Sequence, residues 1–148
     1  MLSLDSEETL HTFSIIAKGK EYTLDKKEAS LSILLNTCIN NDKDCNEVKL
    51  NIEPDTFDYV VEYMKLATVN KPSDIPKPIK DLSLKTYLQD WEYDYLCRIE
   101  SAHMIKKVLD LVNYLDVPPL FELLCAKIAS VIKHKIHLPN LNEIIENL

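Results

Sequence analysis

The chain has 148 residues, 46% hydrophobic and 28% charged, the size and composition of one domain with one core. Its net charge of −7 excludes a phosphate-backbone binder, which needs clustered Lys and Arg, so no nucleic acid is expected as a partner. The single glycine, Gly19, excludes a glycine-rich phosphate loop, and no apolar run approaches the ~18 residues of a membrane helix, so no membrane is expected either.

Residues 1–11 read as a polar leader, and Asp5, Glu7 and Glu8 without a basic stretch argue against a secretory signal. From Thr12, alternation places Phe13, Ile15 and Ala17 on one face, and Tyr22 and Leu24 follow Lys18-Gly19-Lys20. This predicts a β-hairpin with Gly19 at positive φ. Asp25 opens a helix, and Ser30 caps a second one bearing Leu31, Leu34 and Leu35. Asn40 to Asp44 is a solvated loop, and Val48-Lys49-Leu50 a short strand. Pro54 starts a helix whose stripe is Phe57, Val60, Val61, Met64 and Leu66.

Residues 67–98, with Pro72, Pro76 and Pro78, read as a long connection. Ala102, Ile105, Val108, Leu109, Val112 and Leu115 then mark a helix, widened by Met104 and Leu111 and hence largely buried. Asp116-Val117-Pro118-Pro119 breaks it. Leu120, Phe121, Leu124, Ile128, Val131 and Ile132 mark the next helix, started by Pro119, and a last short one spans 141–148. The sum is α+β, with a small three-stranded sheet packed against a helical cluster.

No catalytic or cofactor site is expected. Cys38, Cys45, Cys97 and Cys125 form no CxxC pair, which suits reduced thiols in the cytoplasm or nucleus. Cys38 and Cys125 lie on apolar helix faces, where inert buried thiols belong. Asp42, Asp44, Asn46 and Glu53 match four positions of a calcium loop, but Glu47 stands where that loop demands Gly. His134 and His137 lack a Cys or carboxylate at ligand spacing, so no metal is expected. Asp90 and Glu92 read as a charge cluster rather than an acid–base dyad. Trp91, among Tyr87, Tyr93 and Tyr95, reads either as a partner anchor or as the pin that holds the 67–98 connection on the core.

Three blocks carry a family resemblance. They are Val48-Lys49-Leu50-Asn51-Ile52 with the helix from Phe57 through Tyr63-Met64; Ile75-Pro76 with Trp91-Glu92-Tyr93-Asp94-Tyr95-Leu96; and Leu111-Val112-Asn113-Tyr114-Leu115-Asp116, continuing to Ile132-Lys133. Together they resemble the S-phase-kinase-associated adaptor of SCF ubiquitin ligases. Elongin C, a related adaptor, shares the Ile-Pro and an Asn-Phe-Leu-Asp but lacks the Trp block.

The resemblance implies a BTB/POZ fold over 12–133 and an adaptor that is not an enzyme, bridging a cullin N-terminal domain to an F-box protein in the ubiquitin-conjugation pathway. It assigns the cullin contact to Asn113 and Tyr114, which from the residues alone also read as a helix cap with a tyrosine at the core edge. It points to Leu120, Leu124, Ile128 and Ile132 for the client. Lys133-His134-Lys135-Ile136-His137-Leu138-Pro139 departs from the family's Lys-Gly-Lys-Thr-Pro-Glu-Glu, so 134–148 is expected to begin a truncated or divergent client-binding region. The alternatives are a POZ self-association or scaffold module, running as a symmetric dimer, and an elongin C-like adaptor outside the SCF complex. A weak homodimer fits the adaptor reading as well.

Overall fold

The computed structural model describes residues 12–41, 46–76 and 84–134. Strands β1 (Thr12–Ala17) and β2 (Lys20–Asp25) form the expected hairpin, paired from Thr12↔Asp25 to Ala17↔Lys20. The two-residue turn needs positive φ at both positions, and Lys18 (45°) and Gly19 (90°) supply it. Phe13, Ile15, Ala17, Tyr22 and Leu24 all face the core. β3 (Glu47–Leu50) returns parallel to β1, from Ser14↔Glu47 to Ala17↔Leu50, giving the order β2-β1-β3.

A parallel return requires a crossover, and two helices provide it. α1 (Lys26–Ala29) opens on a capping box. The Glu28 N–H donates to Asp25 Oδ1 at 2.7 Å, and the Asp25 N–H to Glu28 Oε1 at 2.9 Å. Ser30 closes α1 instead of capping α2 (Ile33–Asn41), its N–H donating to Lys26 O at 3.0 Å. The cap of α2 is Ser32, two residues on, whose Oγ accepts from the Leu35 N–H at 3.2 Å. Asn40 and Asn41, expected in a loop, complete α2, and 42–45 lie outside the described residues.

α3 (Pro54–Val69) begins at Pro54 as expected and runs one turn past the stripe. The stretch 67–98 is not one connection. It holds the end of α3, an irregular segment at 71–76, a 3-10 turn (Leu84–Tyr87) and most of α4 (Asp90–Ser101). α4 is a helix because Tyr95, Leu96 and Ile99 turn to the core while Gln89 and Glu92 form a capping box at its start. α5 (Ile105–Leu115) starts later than expected, since Ala102 caps α4 and is exposed, and His103 turns the chain at φ 56°. α6 (Pro118–His134) starts on Pro118, one residue before Pro119. The proposed helix at 141–148 lies outside the described residues.

Among the described residues the result is a small three-stranded sheet packed against six helices around one core, whose largest fully buried side chains include Phe57, Tyr63, Tyr95 and Leu120. No described helix is long and apolar enough to cross a membrane.

One polar contact ties the hairpin to α3. The Tyr22 hydroxyl donates to Asp58 Oδ1 (2.5 Å) and lies 3.0 Å from Pro54 O, while Lys20 Nζ reaches Asp58 at 2.8 Å. Burial, then the bond to Asp58, pushes the Tyr22 pKa up to about 12. Burial opposes ionisation of Asp58, but the bonds from Lys20 and Tyr22 win and hold it below the usual carboxylate value.

A tyrosine with a raised folded pKa stabilises the fold below its unfolded value of 10 and loses that contribution as pH rises toward about 12. A depressed carboxylate stabilises the fold above its unfolded value of 3.8 and loses it on acidification. Tyr22→Phe should therefore destabilise the protein by about 1.5 kcal/mol near neutrality. It should also flatten the fall in stability between pH 10 and about 12, as read from urea unfolding at each pH.

Candidate partner-binding surface

The C-terminus of α5 is built by a contact that spans most of the chain. A helix end leaves carbonyls without partners, and here the start of α2 supplies the donors. Ser32 Oγ donates to Leu115 O at 2.6 Å, and the Ile33 N–H donates to Asp116 O at 2.8 Å. Asp116 takes the left-handed conformation (φ 57°), and its N–H and that of Val117 both return to Val112 O, at 2.7 and 3.4 Å. This is a Schellman-type closure, with Val117 and Val112 both fully buried beneath it. The positive end of α2 thus meets the negative end of α5, an arrangement that the two dipoles favour.

That closure leaves two residues of the last turn of α5 facing solvent. Asn113 is exposed and Tyr114 is 56% exposed, so the tyrosine is not the core-edge packing residue that the sequence also allowed. Beside them lies a cleft of about 240 Å³, lined by Val112, Asn113, Asp116, Pro118, Phe121 and Glu122. Phe121, read as part of the apolar stripe of α6, is 37% exposed. Among the described residues the exposed large hydrophobics are Ile33, Val69, Tyr114 and Phe121, and all but Val69 stand on the three segments that meet at Asp116.

The client residues read from the sequence separate into two groups. Leu120 and Leu124 are fully buried and pack the core, which corrects their assignment to a client surface. α6 buries one face in the core, and Leu120 and Leu124 lie on that face with Leu123. Ile128 and Ile132 on later turns are half-buried, and Ile128 packs partly against the core. Residues 135–148, where the client region was expected to continue, lie outside the described residues.

Among the described residues no group of His, Cys, Asp and Glu is placed to hold a metal. Asp42, Asp44 and His137 lie outside them. Cys38 and Cys125 are half-buried rather than sealed, as is Cys97. Two open grooves of about 850 and 500 Å³ flank α3. The acids of the larger one, Asp58 and Glu62, already meet Lys20 and Arg98.

The sequence reading missed the part played by Glu92, which is not a solvated charge. It is 1% exposed and collects three donors from neutral groups. The Gln89 N–H reaches it at 3.0 Å, the Ser73 N–H at 3.1 Å, and the Ser73 hydroxyl bonds it closely. The segment 71–76 is held on α4 in this way, with Gln89 Nε2 also donating to Lys71 O. Trp91 packs its ring 5.7 Å from that of the buried Tyr63 and against the core, and the stretch it holds there is the helix α4 rather than a loop. The signal that was available is the Gln-x-x-Glu spacing of a capping box.

No protein-family model matches the chain. Among curated proteins it is similar to the S-phase kinase-associated protein 1 homolog of Tetrahymena thermophila, with 25% identity over 113 residues. That match covers 76% of this chain and 68% of the relative. The chain is thus similar in sequence, across most of its length, to the S-phase-kinase-associated family that the three blocks resemble.

Proposed function

We propose that this chain is the adaptor subunit of a cullin–RING ubiquitin ligase, with a BTB/POZ fold, bridging a cullin N-terminal domain to an F-box-type substrate receptor. The similarity to an S-phase kinase-associated protein supports the class of function. The observation that carries the cullin contact is the solvent-facing Tyr114, presented with Asn113 on a helix end that tertiary bonds hold rigid. A tyrosine in that setting buries a large area on a partner at little conformational cost. The adaptor performs no chemistry; it places two proteins side by side in the cytoplasm or nucleus. The receptor is met by the later turns of α6, around Ile128 and Ile132, together with residues 134–148.

The test is binding of a cullin N-terminal domain by calorimetry. The native chain should bind it, and Tyr114→Ala should weaken binding by about tenfold or more while leaving the thermal unfolding midpoint unchanged. No binding by the native chain, or equal binding by the variant, removes the proposal.

A second reading, a self-association module, is favoured by the same exposed hydrophobics, which a second copy of the chain would cover. Light scattering across concentrations separates the two, because a scaffold stays dimeric when the cullin domain is added and an adaptor does not.

A further inference from the structure

α6 changes character along its length. Pro118, Phe121 and Glu122 in its first turns are exposed, yet from Leu123 to Ile132 no residue is. Helical periodicity carries the open face of the first turns on to Cys125, Ala129 and Ile132, and all three are half-buried. The later turns are therefore covered on the side that the first turns leave open, and those are the turns assigned above to the receptor.

Among the described elements, α5 and the 3-10 turn Leu84–Tyr87 pack most closely on α6. The turn brings Leu84, 7% exposed, with Tyr87 and Leu88 half-buried against the same core. A single 3-10 turn has no stability of its own, so it stays where its side chains hold it. Here the hold includes the buried Leu84 and the Lys85 ammonium, 5.1 Å from the centre of the Tyr93 ring on α4. The backbone bond from the Leu88 N–H to Lys85 O, at 3.3 Å, is local and ties the turn to no other element. A partner that offers the same seat a better occupant releases such a fastening.

We infer that the turn Leu84–Tyr87 occupies the receptor surface of α6 in the free chain, and that an F-box-type receptor displaces it by seating a large aliphatic side chain in place of Leu84. This rests on the receptor reading above. It adds the kind of side chain that the receptor inserts and a built-in competitor that lowers its affinity.

The experiment titrates a purified F-box domain into the native chain, Leu84→Ala and Lys85→Ala by calorimetry. Leu84→Ala should bind about fivefold more tightly than native, because the competing turn no longer has to be displaced. Lys85 is exposed, so Lys85→Ala leaves the core intact while removing the contact with Tyr93, and it should bind about twofold more tightly. Cys125 should react faster with iodoacetamide in Leu84→Ala than in the native chain, since a thiol reacts only where reagent reaches it. Trypsin should cut the native chain after Lys85 faster when the F-box domain is bound, because the displaced turn is then open to the protease. If both variants bind as the native chain does and the F-box domain leaves that cut unchanged, the turn is a fixed part of the fold; the inference is wrong and the receptor reading stands. If Leu84→Ala binds more weakly, with Cys125 no more reactive and Lys85→Ala binding as native, Leu84 only packs the core and the inference is overturned. If neither the native chain nor either variant binds the F-box domain, the receptor reading falls and the inference falls with it.

Discussion

Glu92→Ala should lower the free energy of unfolding by about 3 kcal/mol, the largest loss expected from any single polar change in this protein. The carboxylate is 1% exposed and accepts from the Gln89 N–H, the Ser73 N–H and the Ser73 hydroxyl. Removing it leaves those donors without their acceptor, at roughly 1 kcal/mol or more each, and removes one half of the α4 capping box. Water entering the vacated space offsets part of the loss, which is why the estimate stays near the low end of the sum. Set against a total stability of roughly 5–15 kcal/mol for a domain of this kind, the variant is strongly weakened but folded.

Ser73→Ala removes only the hydroxyl bond and should cost about 1 kcal/mol. Urea unfolding followed by far-ultraviolet circular dichroism measures both. A Glu92→Ala midpoint within error of native would mean that the buried carboxylate does not hold segment 71–76 in place. The same variant should be cut faster by protease within 71–76, because that segment loses its main tie to α4.

How much was legible in the sequence differs by element. The hairpin was, because period-two alternation and the single glycine agree on one register and one turn. α5 was, because its apolar residues recur over three turns without interruption. α4 was hidden because its core-facing residues are Tyr95, Leu96 and Ile99 amid acids, and because one of those acids, Glu92, is itself buried. A charge cluster and a capping box are written with the same letters, and only burial separates them.

The client reading of Leu120 and Leu124 failed for a related reason. Periodicity shows that Leu120 and Leu124 share a face of α6, but not that this face is the core; Phe121, one residue along, turns to solvent instead. The corner around Tyr114 was half legible. The family resemblance singles out Asn113 and Tyr114, and both side chains are exposed. Ile33 was out of reach, because nothing local brings it to Asp116. The neighbouring Ser32–Leu115 bond joins residues 83 apart in the chain, and the pairing exists only once the core has formed.

That bond supports the second large effect. Ser32 is fully buried, and its hydroxyl acts twice, donating to Leu115 O at 2.6 Å and accepting from the Leu35 N–H at 3.2 Å. Ser32→Ala removes the N-cap of α2 and strips a buried carbonyl at the end of α5, so a loss of about 2 kcal/mol is expected. The Ile33 N–H bond to Asp116 O survives, because it is backbone to backbone, and the corner is loosened rather than dismantled. Partner binding should weaken even though Ser32 is inaccessible to a partner, since Tyr114 and Ile33 are then held by one tie instead of two. A double-mutant cycle with Tyr114→Ala separates this from simple destabilisation. If Ser32 acts by positioning Tyr114, its effect on cullin binding shrinks once the tyrosine is gone, whereas a loss of folded protein lowers binding by the same factor in both backgrounds. Equal factors, with the stability loss present, would mean that the helix-to-helix bond holds the fold and leaves the binding corner indifferent to it.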